Sequence, residues 1–333
     1  THFFEFKSPR YNSIQIVALL MAAHNVVLLV VLVLASASNL GSASRELSQP
    51  AKVEEGATYS MKYHNGVLLN GKISVHLIWY GNFKPSQRGI IVDFINSLYG
   101  TVDGEPTVAK WWKGTETFYS KIRSRRSSPL VLSLRSQISD DTYSLGKRLT
   151  NQQIIQLASR GGERDAINIV LTSNDVVVDG FCSTRCGTHG STVSSRKTSK
   201  FAYIWVGNCE TLCPGHCAWP FHRPMYGPQV QQVVAPNNDV GVDGMIINLA
   251  SLLSGTVTNP FGNGYFQGPK EAPMEAASAC SGIFGSGAYP GYVGNLLEDS
   301  TTGASYNARG INGRKYLLPA LMDPTTAICS TLV

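Results

Sequence analysis

Residues 182–190 read CSTRCGTHG and residues 201–222 read FAYIWVGNCETLCPGHCAWPFH. These segments hold five of the seven cysteines around one apolar run, 201–206, with Cys280 and Cys329 downstream. Cys182 and Cys186, and again Cys213 and Cys217, stand in C-x3-C spacing, which lies within zinc-ligand range but is looser than the knuckle C-x2-C. His189, His216 and His222 would complete such a cluster. The rival reading is a disulfide framework, and the compartment decides between them.

The compartment is read from residues 14–35, IQIVALLMAAHNVVLLVVLVLA, which carry no charge and follow Lys7 and Arg10. Ala35, Ser36 and Ala37 fit a cleavage site before Ser38, so residues 1–37 read as a signal peptide. The run is about as long as the ~20 residues that span a bilayer, but His24 and Asn25 interrupt it. No second stretch reads as a membrane span. A secreted chain meets oxidant, so Cys182, Cys186, Cys213, Cys217, Cys280 and Cys329 are disulfide candidates whose connectivity stays open. Cys209 sits outside both close pairs and is the candidate free thiol. No cofactor, metal or catalytic residue is assigned; a metal held by His189 and His222 is the alternative.

Outward from this block, strands alternate with helices. Residues 38–62 are polar and aperiodic and read as a linker, with one domain over 63–333. Ile73, Val75, Leu77 and Trp79 alternate with more polar neighbours, predicting a strand. A helix is expected over 86–98 with Ser86 as its cap. Another is expected from Pro106, carrying Val108, Trp111, Trp112 and Phe118. Residues 130–136, 166–173 and 201–206 read as further strands. Residues 242–254 are apolar almost all round and predict a buried helix, N-capped by Asp243 and ended by Gly255. A short helix is expected near Met274 and a last strand over 315–318. The fold class is mixed α/β: a single secreted domain with a disulfide-rich loop region.

Apolar residues make up 43% of the chain and charged ones 15%, which excludes disorder. The net charge of +6 includes a basic run at Lys121, Arg123, Arg125 and Arg126. For a secreted protein that balance suits an anionic wall polysaccharide rather than nucleic acid, although such a run is also an ordinary solvated helix end. No H-E-x-x-H, G-x-S-x-G or P-loop occurs. His189 and His222 lack a nearby carboxylate in sequence, so each reads as a loop strut. Trp205, Trp219, Phe221 and His222 are candidate contacts, with core packing as the competing role. No N-x-[ST] acceptor is present, so no N-glycan is expected.

Six segments carry a resemblance: YHNGVLLNGKISVHLIWYGNFKPSQR, VAKWWKGTETFY, GFCSTRCGTHGS, YIWVGNCETLCPGHCAWPF, APNNDVGVDGMIINLASLLSGTVTNPFGNGYFQGP and GRKYLLPALMDPTTAICSTLV. In order across 63–333, they resemble the EXORDIUM-like, or phosphate-induced, secreted proteins of plants. The resemblance implies an apoplastic or cell-wall protein tied to growth, cell expansion and brassinosteroid response, binding a wall component or an apoplastic protein without catalysis. It also implies serine where this chain has Cys209, which fits an unpaired thiol. The alternative function is a hydrolase of carbohydrate or peptide bonds around His189 and His222.

A second likeness points to a degenerate zincin-like scaffold. Some zinc-peptidase-like sequences carry H-E-L-A-E-A-x-T-D-P on a helix. Laid without gaps, T-D-P falls on Thr258, Asn259 and Pro260, the His and first Glu on Ser251 and Leu252, and the second Glu on Gly255. None of these three side chains replaces a zinc ligand. A helix packed outside any cleft would sink this reading.

Overall fold

Lys72–Tyr80 forms β1, in which Val75, Leu77 and Trp79 point to one face of a sheet and Ile78 and Tyr80 to the other, all fully buried. Burial on both faces is the condition of a parallel strand between two helical layers. The computed structural model describes residues 60–120, 129–162, 164–193, 200–225 and 232–333. All belong to the unit Thr58–Val333. The signal-peptide reading, nearly all of the linker and the basic run at Lys121–Arg126 lie outside the described residues. Met61 is already buried, and Lys62–Tyr63 pairs with Tyr265–Phe266.

In chain order the main elements are β1, helix α1 (Pro85–Ser97), α2 (Val108–Lys113), β2 (Val131–Asp140), α3 (Asn151–Ala158), β3 (Ala166–Thr172), β4 (Gly187–Val193), β5 (Lys200–Gly207), α4 (Pro214–Cys217) and α5 (Val240–Thr258). The sheet order is β2-β1-β3-β5-β4. Four strands are parallel, and β4 returns antiparallel to β5 as an edge. One core joins β1, β3 and β5 to α1 and α5; the other joins the opposite face to α3, Trp205 and Cys209, Cys213 and Cys217. The result is three layers, α/β/α.

Helix α5 is the apolar centre. At 19 residues and a hydropathy of 1.5 it is long and apolar enough to cross a membrane, contrary to the expectation of no second such stretch. Its window is 72% buried within the fold, so here it is a core helix. Truncating Leu249 or Leu253, both fully buried, to alanine is worth about 2–5 kcal/mol. Residues 259–333 wrap the outside in two-residue ladders, pinned by Asn307, whose amide bonds Phe284 O and Leu318 O.

Several element ends differ from expectation. Helix α1 starts at Pro85 behind Lys84, so Ser86 lies inside it. Pro106 follows a cis bond, and Thr107 caps α2 instead. Asp239, not Asp243, caps α5 by accepting from Val242 N at 2.9 Å. Gly255 does not end α5, which runs on to Thr258. Near Met274 there is only a 3-10 turn, Ser278–Cys280. The CGTHGS stretch, read as a loop, begins edge strand β4. Its two glycines and polar residues hide the strand, because pairing with β5 supplies what local propensity does not.

Candidate functional site

The cysteine block folds as a staple over one sheet edge. Cys182 bonds Cys213 and Cys186 bonds Cys217, so two bridges tie the segment before β4 to the segment after β5. Cys280 bonds Cys329 across the C-terminal wrap. Cys209 is free and buried, and burial pushes its thiol up to about 12. Ligand atoms of Cys186, His216 and Cys217 lie within 4.8 Å of one another. The two sulfurs are bonded to each other and are no longer thiolates, so this cluster is a disulfide with a histidine beside it.

His189 gains the orienting group that sequence proximity did not offer. On β4 it stands opposite Ile204 and so faces α5. Its Nε2 lies 2.6 Å from Glu275 Oε2, with both side chains largely buried. Asn259 Nδ2 donates to the other oxygen at 2.6 Å, and Asn259 Oδ1 accepts from Gly264 N at 2.7 Å. Helix α5 meets this pair through Gly255. A Cβ built there would come to 2.3 Å of Glu275 Oε2 and 3.3 Å of His189 Nε2. Only glycine leaves room for the pair where it stands.

A carboxylate–imidazole pair is the orienting half of a general base, but the remaining nitrogen must reach substrate. Here Nδ1 of His189 is buried and has no hydrogen-bond partner among the described residues. His222 is exposed, and its Nδ1 meets the carbonyl of the adjacent Arg223. No bond joins the two histidines among the described residues. Glu275 and Asn259 are the residues that sequence reasoning missed at this site; Glu275 lies 86 positions from His189.

The aromatic candidates separate by burial. Trp205 is fully buried and donates to Thr172 Oγ1, and Phe221 is buried against Phe284, so both are core. Trp219 is half-buried, tilted on Phe284 at 5.9 Å between centroids. The next residue, Pro220, helps line a cavity of about 570 Å³ with Tyr292, Leu296, Glu298 and Ser305. An aromatic ring, apolar walls and a carboxylate together make a surface able to hold a ligand with both apolar and hydroxyl faces.

Fold and site together define a disulfide-stapled α/β domain with a buried imidazole–carboxylate pair at its sheet edge. Comparison with known proteins then places it. The family profile "Phosphate-induced protein 1 conserved region" matches residues 61–332. The chain is 62% identical over 318 residues to Protein PHOSPHATE-INDUCED 1 of Nicotiana tabacum, covering 94% of this chain and 100% of that one. It is 64% identical over 280 residues to Protein EXORDIUM of Arabidopsis thaliana, covering 82% and 89%. Similarity extends to Protein EXORDIUM-like 6 of the same plant, 31% identical over 297 residues and covering 79% and 89%. No solved structure matches. The chain belongs to the EXORDIUM-like, or phosphate-induced, family.

Proposed function

We propose that this chain is a secreted protein of the plant apoplast that promotes growth and cell expansion by binding an anionic wall polysaccharide without catalysis. The observation that carries the non-catalytic part is the closed set His189–Glu275–Asn259 beside Gly255, which has no nitrogen open to a substrate. A zincin-like ancestry stays in this proposal on the sequence likeness alone. In that likeness Gly255 stands where a helix-borne ligand would, and Ser251 and Leu252 supply no ligand either. Net charge of +6 favours an anionic polymer as the partner, and the Tyr292 ring with its apolar walls offers a face for a sugar.

The test is retention of the purified, disulfide-intact protein on immobilised polygalacturonate, with metal content measured on the same sample. Retention that weakens in Tyr292→Ala and a zinc content near zero are expected. Stoichiometric zinc lost in His189→Ala would overturn the non-catalytic reading. The hydrolase alternative gains one observation, the carboxylate on His189, and predicts glycan or peptide cleavage abolished by Glu275→Gln.

A further inference from the structure

The parallel strands end on a second polar cavity, distinct from the Pro220 groove. Asn82 follows β1, Asn174 follows β3 and Asn208 follows β5, and with Lys84, Gln87 and Glu210 they line about 300 Å³. In open α/β sheets ligands bind outside the carboxyl ends of strands, where successive connections leave in opposite directions. That reversal occurs at β1, whose neighbours are β2 on one side and β3 on the other. At this volume the cavity is at the small end of ligand pockets, room for one ring.

The lining specifies charge as well as size. Asn208 is only 2% exposed, and its Oδ1 accepts from Glu210 N at 3.0 Å. Its amino group donates to nothing among the described residues and is not a fully buried atom, so it is left open on the cavity side. Lys84 stands at the N-cap of the 13-residue helix α1, where a serine or aspartate would ordinarily accept from the first turn. Lys84 itself offers no acceptor there and Gln87 closes only on the Lys84 N–H, so the partial positive charge of the first turn adds to the Lys84 ammonium. Gln87 is fixed as wall: it accepts from Lys84 N at 3.0 Å and donates to Asp239 at 2.9 Å. Acceptors complete the ring. Asn174 holds the Glu210 carboxylate at 3.0 Å, and Asn82 spends its amino group on Tyr143 OH at 3.1 Å, leaving its oxygen to accept.

A ligand matching this lining carries one anionic group for the Lys84 end and several hydroxyls for Asn82, Asn208 and Glu210. We infer that the pocket binds a hexuronate, a sugar ring bearing one carboxylate. The inference rests on the wall-binding reading for the choice of sugar; the lining itself supplies the polar groups for hydroxyls, and Lys84 alone supplies the place for an anion.

The test is a 15N NMR titration of the disulfide-intact protein with D-galacturonate, D-galactose and inorganic phosphate. Galacturonate is expected to give saturable shifts of the Asn208 and Asn174 side-chain amides. Galactose should bind about tenfold more weakly, having lost the charge-assisted contacts, and phosphate should not saturate. Lys84→Gln, an exposed change, and Asn208→Asp, which keeps the acceptor for Glu210 N, should each weaken galacturonate about tenfold. Equal binding of galactose, saturation by phosphate, undiminished binding in both variants, or no shift with any probe would each overturn the inference. Polygalacturonate retention without amide shifts rejects the pocket and leaves the wall reading standing; saturable shifts without retention do the reverse.

Discussion

Nε2 of His189 and Oε2 of Glu275 lie 2.6 Å apart, joining edge strand β4 to the segment that follows α5. The contact depends on what is missing from the helix between them. A methyl at position 255 would sit 2.3 Å from the carboxylate oxygen. Gly255→Ala should therefore drive Glu275 off His189 and leave buried polar groups unpaired, at a cost of about 1–3 kcal/mol. Urea unfolding of the oxidised protein measures it. An unchanged midpoint would mean that the carboxylate swings aside freely, despite its bond to Asn259.

Stability should peak at mildly acidic pH. Burial opposes the ionisation of Asp175, but bonds from Lys147, Ser173 and Tyr143 outweigh it and hold the carboxyl at about 2. Burial likewise opposes ionisation of Asp140, and bonds from Ser144 and Arg160 hold it below the usual range. Both contribute stability above the unfolded value of about 3.9 and lose it as the pH falls further. Asp243 runs the other way: burial pushes it up to about 7, despite bonds from Asn237. The folded state then binds a proton that the unfolded chain releases, so stability declines from about pH 4 to about pH 7. Thermal melts across pH 2–8 should show the maximum, and Asp243→Asn should flatten its alkaline side.

Cys209 should be chemically silent in the native protein. It is 1% exposed, and burial pushes its thiol up to about 12, so little thiolate exists at neutral pH. Thiol titration without reductant should count none in buffer and one in guanidinium. Three reactive thiols under denaturing conditions would show that a bridge is open.

The three bridges should not contribute alike. Cys182–Cys213 and Cys186–Cys217 each span 31 residues and close almost the same loop, whereas Cys280–Cys329 spans 49 residues elsewhere. Loop closure gives each taken alone about 4 kcal/mol. With one of the first two intact, the other closes only a small additional ring. Removing both should thus cost more than the sum of the separate losses, while removing Cys280–Cys329 should add independently. Denaturant midpoints of serine-pair variants read this directly.

The sheet was legible where burial leaves a local trace. Val75, Leu77 and Trp79 alternate, and 166–172 is apolar but for Asn168 and Thr172 because both its faces are covered. The helix starts were less so: Lys84 is a poor cap in isolation, and Asp239 and Asp243 look equally suited until Asn237 is seen to occupy the second. The histidine site was least legible. Glu275 meets His189, and Asn259 meets Glu275, only through the crossing of α5 over β4 and β5, and nothing in the spacing of CGTHGS announces a partner so distant. The pairing of the cysteines was hidden for the same reason, since each bridge in the block joins segments on opposite sides of a hairpin.

Helix α5 carries one more consequence, for the order in which the molecule is made. All five strands of the main sheet precede Val240 in the chain. A ribosome working from the N-terminus releases the covering surface before the segment it must cover, and nascent domains fold as their parts become available. The longest apolar element of the described domain therefore emerges last among the main elements, onto a waiting sheet. Its exposed lifetime is set by docking and by the arrival of residues 259–333, not by the slow assembly of parallel strands.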